Sequence, residues 1–233
     1  GQPPSNPDST AVRRTTFDNG DYWTPAAFAE LELRPLSSLL VVPGLRAEYF
    51  GRTKVGSLEP RLGIRQALSK TVSLKAGVGL YSQRPDFGED YAGFGNPKLT
   101  TEKAWHFSAG AEWRITQSLS LDGSLFYKHL YDLVSPTDRV SNEGGKITPL
   151  TYDNGGRGRV RGAEVLLRKE LGGNFTGWLA YTLSRSERID SQADSYRLFD
   201  YDQTHILTML GSYAFKRNIT LSGRFRYVSG NPR

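Results

Sequence analysis

The sequence predicts an all-β fold, an antiparallel up-and-down transmembrane β-barrel in which about ten strands form part of a larger barrel. Three observations support this prediction. Apolar and polar residues alternate over many stretches, short and long connections alternate along the chain, and two tryptophans share one apolar face at a spacing that suits a membrane. The mean hydropathy of -0.49 is compatible with a membrane barrel, because half of each barrel strand faces water.

The clearest strand covers Trp105–Ile115. Every second residue in it is apolar, and the residues between are polar, charged or small. This period of two is typical of a strand with one apolar and one polar face. We expect Ala109 and Ala111 to face lipid near the middle of the bilayer, and Ser108 and Gly110 to face water.

The two tryptophans of this strand, Trp105 and Trp113, lie on the same predicted face. Their separation is roughly 26 Å along an extended strand. In a strand tilted by about 40° this becomes roughly 20 Å along the barrel axis, close to the apolar band of about 25 Å that aromatic girdles bound in outer-membrane barrels. We therefore predict both as girdle residues. A soluble β-sandwich with two core tryptophans remains open on this evidence alone.

Four strands are predicted before this one, each from the same alternation. In the second of these strands Pro43 is unfavourable for strand pairing, because proline removes a ladder hydrogen bond. The four are Asp21–Arg34 with Ala27, Ala29, Leu31 and Leu33 on one face, Leu39–Phe50 with Val41, Leu45, Ala47 and Tyr49, Leu58–Ala67 with Leu62 and Ile64, and Val72–Tyr81 with Val72, Leu74, Ala76, Val78 and Leu80.

Five strands are predicted after Trp105–Ile115. The strand from Phe175 is fairly apolar on both faces, so its facing stays open. The five are Leu119–Leu130 with Leu119, Leu121, Leu125 and Tyr127 on one face, Arg159–Lys169 with Ala163, Val165 and Leu167, Phe175–Ser184, His205–Phe215, and Ile219–Val228 with Leu221, Phe225 and Tyr227.

The connections between these strands alternate in length. Short turns are predicted at residues 35–38, 68–71, 117–118, 171–174 and 216–218. Loops of roughly twenty residues, uncommon in compact soluble domains, are predicted at Ser82–Glu102, Tyr131–Gly158 and Arg185–Asp202. Outer-membrane barrels have short turns on the periplasmic rim and longer loops outside the cell. We therefore expect the long loops to be extracellular.

Both ends of the predicted sheet fall on the long-loop rim. Two free sheet edges would leave unpaired backbone groups in lipid, which is not tolerated. We therefore expect residues 1–233 to be a partial outer-membrane β-barrel domain, with no plug domain, no signal peptide and no terminal strand.

The net charge of +6 and the pI of about 9.5 do not indicate nucleic-acid binding, because the basic residues form no run. Residues such as Arg65, Lys75 and Arg114 lie mostly on polar faces, which indicates a charged barrel interior. The absence of cysteine excludes disulfides and thiolate metal sites. A nucleophile elbow of the G-x-S-x-G type is also absent, so we expect no enzyme, no cofactor and no metal site.

Several segments together resemble TonB-dependent outer-membrane receptors. The stretch beginning NPKLTTE resembles the family's NP-x-L-x-x-E signature ahead of a barrel strand, and YVSGNP is similar to its SG-x-P strand exit. The matches run in family order from about residue 26 to the end of the sequence: VVPGLRAEYF, LEPRLGIRQAL, NPKLTTEKAWHFSAGAEW, RVRGAEVLLRKEL, RLFDYDQTHIL and YVSGNP.

The resemblance implies a barrel of the 22-stranded type, plugged by an N-terminal domain and embedded in outer-membrane lipid. It also implies uptake of a scarce ligand such as an iron–siderophore complex, with energy supplied by the TonB complex through the missing N-terminal region. A glycan, a peptide or another small molecule is an alternative ligand. A passive porin or a surface adhesin remains an alternative function, as does a soluble all-β binding module.

Ligand contacts are expected from the long loops and from the inner wall below them. Arginine and aromatic side chains suit anionic, ring-bearing ligands through charge-assisted hydrogen bonds and stacking. The candidates are Arg84, Asp86, Phe87, Tyr91, Phe94, Tyr152, Asp153, Arg157, Tyr196 and Arg197.

Two smaller motifs are expected to be structural. Asp200, Asp202 and His205 could hold a cation, but we favour a cluster that caps the start of a strand. The sequence Gly155-Gly156-Arg157-Gly158 lacks the ending of a phosphate-binding loop and is expected to be a loop base.

Overall fold

The computed structural model describes residues 21–90, 95–138, 140–143, 146–149, 151–170, 173–190, 195–216 and 218–232. Within them no helix is long and apolar enough to cross a membrane. The elements are β1 (Ala26–Glu30), β2 (Leu33–Leu36), β3 (Leu39–Phe50), β4 (Val55–Ala67), β5 (Val72–Gln83), α1 (Phe87–Asp90), β6 (Glu102–Arg114), β7 (Leu119–Pro136), β8 (Val140–Glu143), β9 (Lys146–Pro149), β10 (Tyr152–Lys169), β11 (Phe175–Ile189), β12 (Arg197–Leu198), β13 (His205–Ala214) and β14 (Thr220–Val228).

A single antiparallel sheet of twelve strands contains almost all of these elements. Its main path is β1-β3-β4-β5-β6-β7-β10-β11-β13-β14, with β2 paired to β3 and β12 paired to β11. The hairpin β8-β9 stands apart. Ten strands follow one another as up-and-down neighbours, which confirms the predicted fold class. The sheet is open, with β1 and β14 at its two ends.

One face of this sheet, called here the outer face, is apolar. Directly paired residues of an antiparallel sheet share a face, so the register identifies its members. A continuous row crosses seven strands through Val72, Trp113, Leu121, Leu167, Leu179, Met209 and Phe225. Trp105 lies on the same face as Trp113, as predicted, and the register also places Leu179 of β11 there. Large side chains on this face, such as Phe107 at 45% and Leu125 at 66%, are exposed.

The opposite face, called here the inner face, carries ion pairs. Arg65 of β4 contacts Glu112 of β6, and Lys75 of β5 contacts Asp122 of β7. Each pair reaches across one intervening strand. Nearer the long loops, the carboxylate of Glu59 is 4% exposed and lies 4.0 Å from both Arg46 and Arg61. Arg46 also contacts Glu48, and Arg61 also contacts Glu30. The predicted charged interior is therefore confirmed on these strands.

The predicted ends of several strands were wrong. The loops expected at 131–158 and 185–202 are shorter, because β7, β10 and β11 continue well beyond the apolar alternation and hydrogen-bond to one another. The loop at 131–158 also contains β8 and β9, the loop at 185–202 contains β12, and the loop at 82–102 contains α1.

The single strand expected over 21–34 is divided into β1 and β2. The break lies opposite Pro43 of β3. The amide of Leu31 donates to the carbonyl of Pro43 over 3.0 Å, but proline has no N–H to return the second bond of the pair. The ladder is interrupted there, which is the physical reason for the division.

A β-bulge interrupts the pairing of β7 with β10. Gly156 pairs with Leu133 and Gly158 pairs with Leu130, so two residues of β7 oppose one residue of β10. Asp132 in this bulge has a φ of 55°. Between β10 and β11 the register continues without a shift from Arg157 to Lys169. Alternate residues of β10 and β11 therefore stay on the same face up to Arg157 and Ile189.

The outer face gives a stability test at mid-strand. We expect Ala109→Arg or Ala111→Arg to lower the free energy of unfolding of the receptor barrel by about 2–4 kcal/mol, because arginine would enter hydrocarbon. Ser108→Arg on the inner face should cost less. Gly110 is not a valid control, since an added Cβ would lie 2.4 Å from the carbonyl oxygen of Gly123. Urea unfolding in lipid vesicles measures these differences, and equal costs at 108 and 109 would contradict the facing.

Candidate functional site

The loop from β5 to β6 contains the most completely buried side chains of the described chain. Pro85, Leu99 and Thr101 are each at most 2% exposed, whereas most strand residues in this single-layer sheet are partly exposed. The loop is packed and hydrogen-bonded against its neighbours rather than extended into solvent. It provides a fixed platform on the long-loop rim, next to the loop between β7 and β10.

The NP-x-L-x-x-E segment joins this loop to the end of β7 and the start of β10. The carboxamide of Asn96, a residue 6% exposed, donates to the carbonyl of Tyr152 over 2.9 Å and accepts from the amide of Lys98 over 3.0 Å. Glu102 accepts from the amide of Val134 over 2.9 Å. Each polar residue of the signature thus satisfies backbone groups that regular strand pairing would leave without partners.

Asn154 connects the same segments from the other side. Its side-chain oxygen accepts from the amide of Thr100 over 2.8 Å, and its side-chain nitrogen donates to the carbonyls of Thr100 and Asp132 over 3.2 and 2.8 Å. The role of Asn154 was not predictable from the sequence, because its partners come from two other segments of the chain.

Of the candidates in the first long loop, Arg84, Asp86 and Phe87 lie on the exposed side of the platform. The guanidinium carbon of Arg52 lies 5.0 Å from the centre of the Phe87 ring, and Nη2 of Arg52 lies 2.8 Å from Oδ2 of Asp90. Burial raises the pKa of Asp90, although the charge of Arg52 opposes this effect. Arg52 and Asp90 were not among the predicted residues, and their contact joins α1 to the turn between β3 and β4.

The remaining candidates are distributed over different surfaces. Tyr91 and Phe94 lie outside the described residues. Tyr152 contributes its carbonyl to the platform, and the carboxylate of Asp153 accepts from the amide of Gly155 over 2.9 Å. Both of these residues therefore help to shape the rim loops.

Arg157, Tyr196 and Arg197 are separated by the sheet. Arg157 pairs with Ile189 and shares the outer face with the arginines next below it on β10. The Tyr196 ring lies 4.2 Å from the guanidinium carbon of Arg159, also on the outer face. Arg197 pairs with Arg188 on the inner face. Its guanidinium contacts Asp190 at 3.0 Å and Asp200 at 2.8 Å, and the hydrogen bond to Asp190 raises its pKa.

The Asp200–His205 segment caps strand ends. The carboxylate of Asp202 is 3% exposed and accepts from the amide of Ser186 over 2.6 Å and from the hydroxyl of Thr204 over 2.9 Å. Nδ1 of His205 instead lies 2.8 Å from the hydroxyl of Tyr181. The two aspartates and the histidine do not converge, and the described residues contain no group of three or more potential metal ligands.

A band of cations and rings lies on the inner face below the rim. Arg61 lies 5.6 Å from the Tyr81 ring, and this ring lies 4.4 Å from that of His106. The ammonium of Lys128, which pairs in register with His106, lies 5.9 Å from the Phe126 ring. Nearer the rim, Arg188 stacks on Phe199 at 3.8 Å. The candidate set missed this cation–aromatic band, although the alternation places its members on the polar face.

The sequence matches a known protein family from residue 1 to residue 233. The family model described as TonB dependent receptor-like, β-barrel matches residues 1–233. The chain belongs to the TonB-dependent receptor-like β-barrel family. Barrels of this family lie in the bacterial outer membrane, which excludes the soluble binding module. No curated protein matches this chain.

Solved structures of this family have the same fold. The ferric-catecholate import receptor Fiu from E. coli K12 matches with a TM-score of 0.70, 17% identity, and coverage of 88% of this chain and 34% of that one. The FrpB iron transporter from Neisseria meningitidis matches with a TM-score of 0.66 and 18% identity, over 88% of this chain and 32% of that one. The alcaligin receptor FauA from Bordetella pertussis matches with a TM-score of 0.64 and 13% identity, over 88% of this chain and 37% of that one. The chain thus spans about a third of these relatives.

The platform predicts a local effect of Asn96→Ala. Losing both hydrogen bonds would leave the part-buried carbonyl of Tyr152 without this donor, so separation of the loop from the start of β10 should become about 1–3 kcal/mol easier. Hydrogen exchange at residues 96–101 and 152–154 measures this change. Asn174→Ala, on the exposed short-turn rim, is the control. Unchanged protection of both segments would contradict the role assigned to Asn96.

The raised pKa of Asp90 predicts a pH dependence of the same platform. A carboxyl group whose pKa is higher in the folded than in the unfolded protein stabilises the folded state most at pH values below its ordinary pKa of about 4. This stabilisation is lost as the pH rises through the raised pKa. Protection factors of residues 85–90 should therefore decrease upward from about pH 4, and Asp90→Asn should remove the decrease. Asp86→Asn, which removes an exposed carboxylate from the same loop, should retain it. The same slope in Asp90→Asn would refute the assignment.

Proposed function

We propose that this chain is a barrel segment of an energised outer-membrane receptor that takes up a scarce ligand such as an iron–siderophore complex. The TonB complex would supply the energy through a region outside this chain. Family membership supports receptor function. The names of the three relatives support the ligand class, since they describe import of a ferric catecholate, transport of iron and binding of alcaligin.

The observation that carries the proposal is the cation–aromatic band of the inner face. Arg61 and Lys128 each lie near an aromatic ring at distances that permit cation–π contact. Arginine and lysine attract anionic ligand groups, and open ring faces accept planar ligand rings. This combination suits an iron complex of an anionic, ring-bearing chelator better than it suits a neutral sugar.

Among the rim candidates, we assign first contact with the ligand to inner-facing and platform residues. Arg197 and its neighbour Arg188 face the interior, and Arg84 and Phe87 lie on the exposed side of the platform. Arg157 and Tyr196 belong to the outer face and receive no role in uptake. We assign no catalytic role to any of these residues.

Lys128→Gln tests the proposal in the complete receptor. Loss of this inner-face cation should weaken binding of a ferric tris-catecholate by about tenfold, because one charge-assisted contact is removed. Lys103→Gln removes a cation from the outer face of the adjacent β6 and should leave binding unchanged. Quenching of intrinsic fluorescence measures both affinities.

Uptake of the radiolabelled iron complex distinguishes an energised receptor from a passive porin. Deletion of TonB should abolish uptake in cells while leaving binding to purified receptor intact. Uptake that continues without TonB would contradict energised transport. Equal binding by the Lys128 and Lys103 variants would contradict the inner-face site.

A further inference from the structure

An arginine cluster lies on the outer face, where the apolar surface of β10 and β11 ends. Arg161 pairs directly with Arg185, one rung above the pair Ala163 and Leu183. Because the register has no shift here, both arginines share a face with the lipid-facing residues below them. This outward position separates them from the inner-face cations and from any ligand passing through the barrel.

The cluster holds more positive charge than its one carboxylate neutralises. Glu187, 6% exposed, accepts from Nε of Arg159 over 2.6 Å and from Nε of Arg185 over 2.9 Å, and lies 3.9 Å from Arg161. Three arginines against one glutamate leave a net charge of +2.

The direct pairing of Arg161 with Arg185 is unfavourable unless an anion compensates it, since like charges directly opposite in a sheet repel. Their side chains are 56% and 53% exposed, so part of each guanidinium is directed towards the surroundings of the barrel. Glu187 is the one carboxylate of the described residues within ion-pair distance of Arg161 and Arg185. The exposed guanidinium groups can therefore accept an anion from the surroundings of the barrel.

The height of the cluster identifies the source of that anion. Arg161 lies roughly 20 Å along the barrel axis from the short-turn end of β10, close to the full height of the apolar band of about 25 Å. Tyr127, which pairs with Arg161, lies beside it on the same face. Tyrosine marks the boundary between hydrocarbon and headgroups. The arginines thus lie at the level of the headgroups of the outer leaflet.

We infer that Arg161 and Arg185 bind a phosphate group on the headgroup of an outer-leaflet lipid. Guanidinium groups match phosphate oxygens in bidentate geometry, and basic clusters next to a membrane bind anionic headgroups. Glu187 neutralises part of the charge of the cluster through its hydrogen bond with Arg185, and Arg159 lies between Glu187 and the ring of Tyr196. The inference rests on outer-membrane location and not on the identity of the transported ligand.

The test uses the complete receptor in nanodiscs, with bisphosphorylated lipid A as the probe and fully dephosphorylated lipid A for comparison. The double variant Arg161→Gln/Arg185→Gln should bind the phosphorylated probe about tenfold more weakly, because both charge-assisted contacts are lost. The control Arg168→Gln/Arg224→Gln removes two inner-face cations and should bind like the unaltered protein. Native mass spectrometry quantifies the retained lipid, and the dephosphorylated probe should not distinguish the variants.

A second variant keeps the test decisive if the double variant does not fold. Glu187→Gln raises the net charge of the cluster and should strengthen binding of the phosphorylated lipid, the opposite of what structural damage produces. Weaker binding by this variant, or equal binding by the double variant and its control, would overturn the inference. If inorganic phosphate binds as tightly as the lipid and with the same dependence on Arg161, the site is a free-anion site and the lipid assignment is wrong.

Discussion

The structure depends on the antiparallel register between neighbouring strands, which continues without a shift through the alternating parts of β5 to β14. Each direct pair shares a face, so one row of apolar residues can cross seven strands from Val72 to Phe225 without a polar member. A slip of one residue would exchange the two faces and bring charged side chains into lipid. The bulge at Asp132 lies on the long-loop side of the alternating region, where such an exchange carries a smaller penalty.

The same register separates two populations of basic residues. On the inner face, Arg65 and Lys75 are matched with carboxylates on neighbouring strands, and the band around Tyr81 combines cations with rings. On the outer face, Arg161 and Arg185 lie above the apolar surface with one shared carboxylate. Net charge alone does not distinguish these populations, since only the facing decides whether a cation meets a solute or a lipid.

The alternation predicted the facing of most strands, because burial in lipid imposes a strict period of two. Together with the connection lengths and the spacing of the tryptophans it predicted the fold class. It did not predict the upper parts of β7, β10 and β11. Residues there are mostly polar or glycine, and they are extended because neighbouring strands supply hydrogen-bond partners. The site was predicted less well, because loop candidates were chosen by residue type. Counting in steps of two from Ala163 would have placed Arg161 and Arg159 on the outer face, whereas the contact of Arg52 with Asp90 depends on loop packing.

The strands of the sheet differ in length on the long-loop rim. β7 and β10 contain 18 residues each, whereas β13 contains 10. Eight additional residues correspond to about 26 Å of extended chain. β7 and β10 therefore extend further on the long-loop rim than β13 does, and their upper ends lie beyond the apolar row that crosses the sheet.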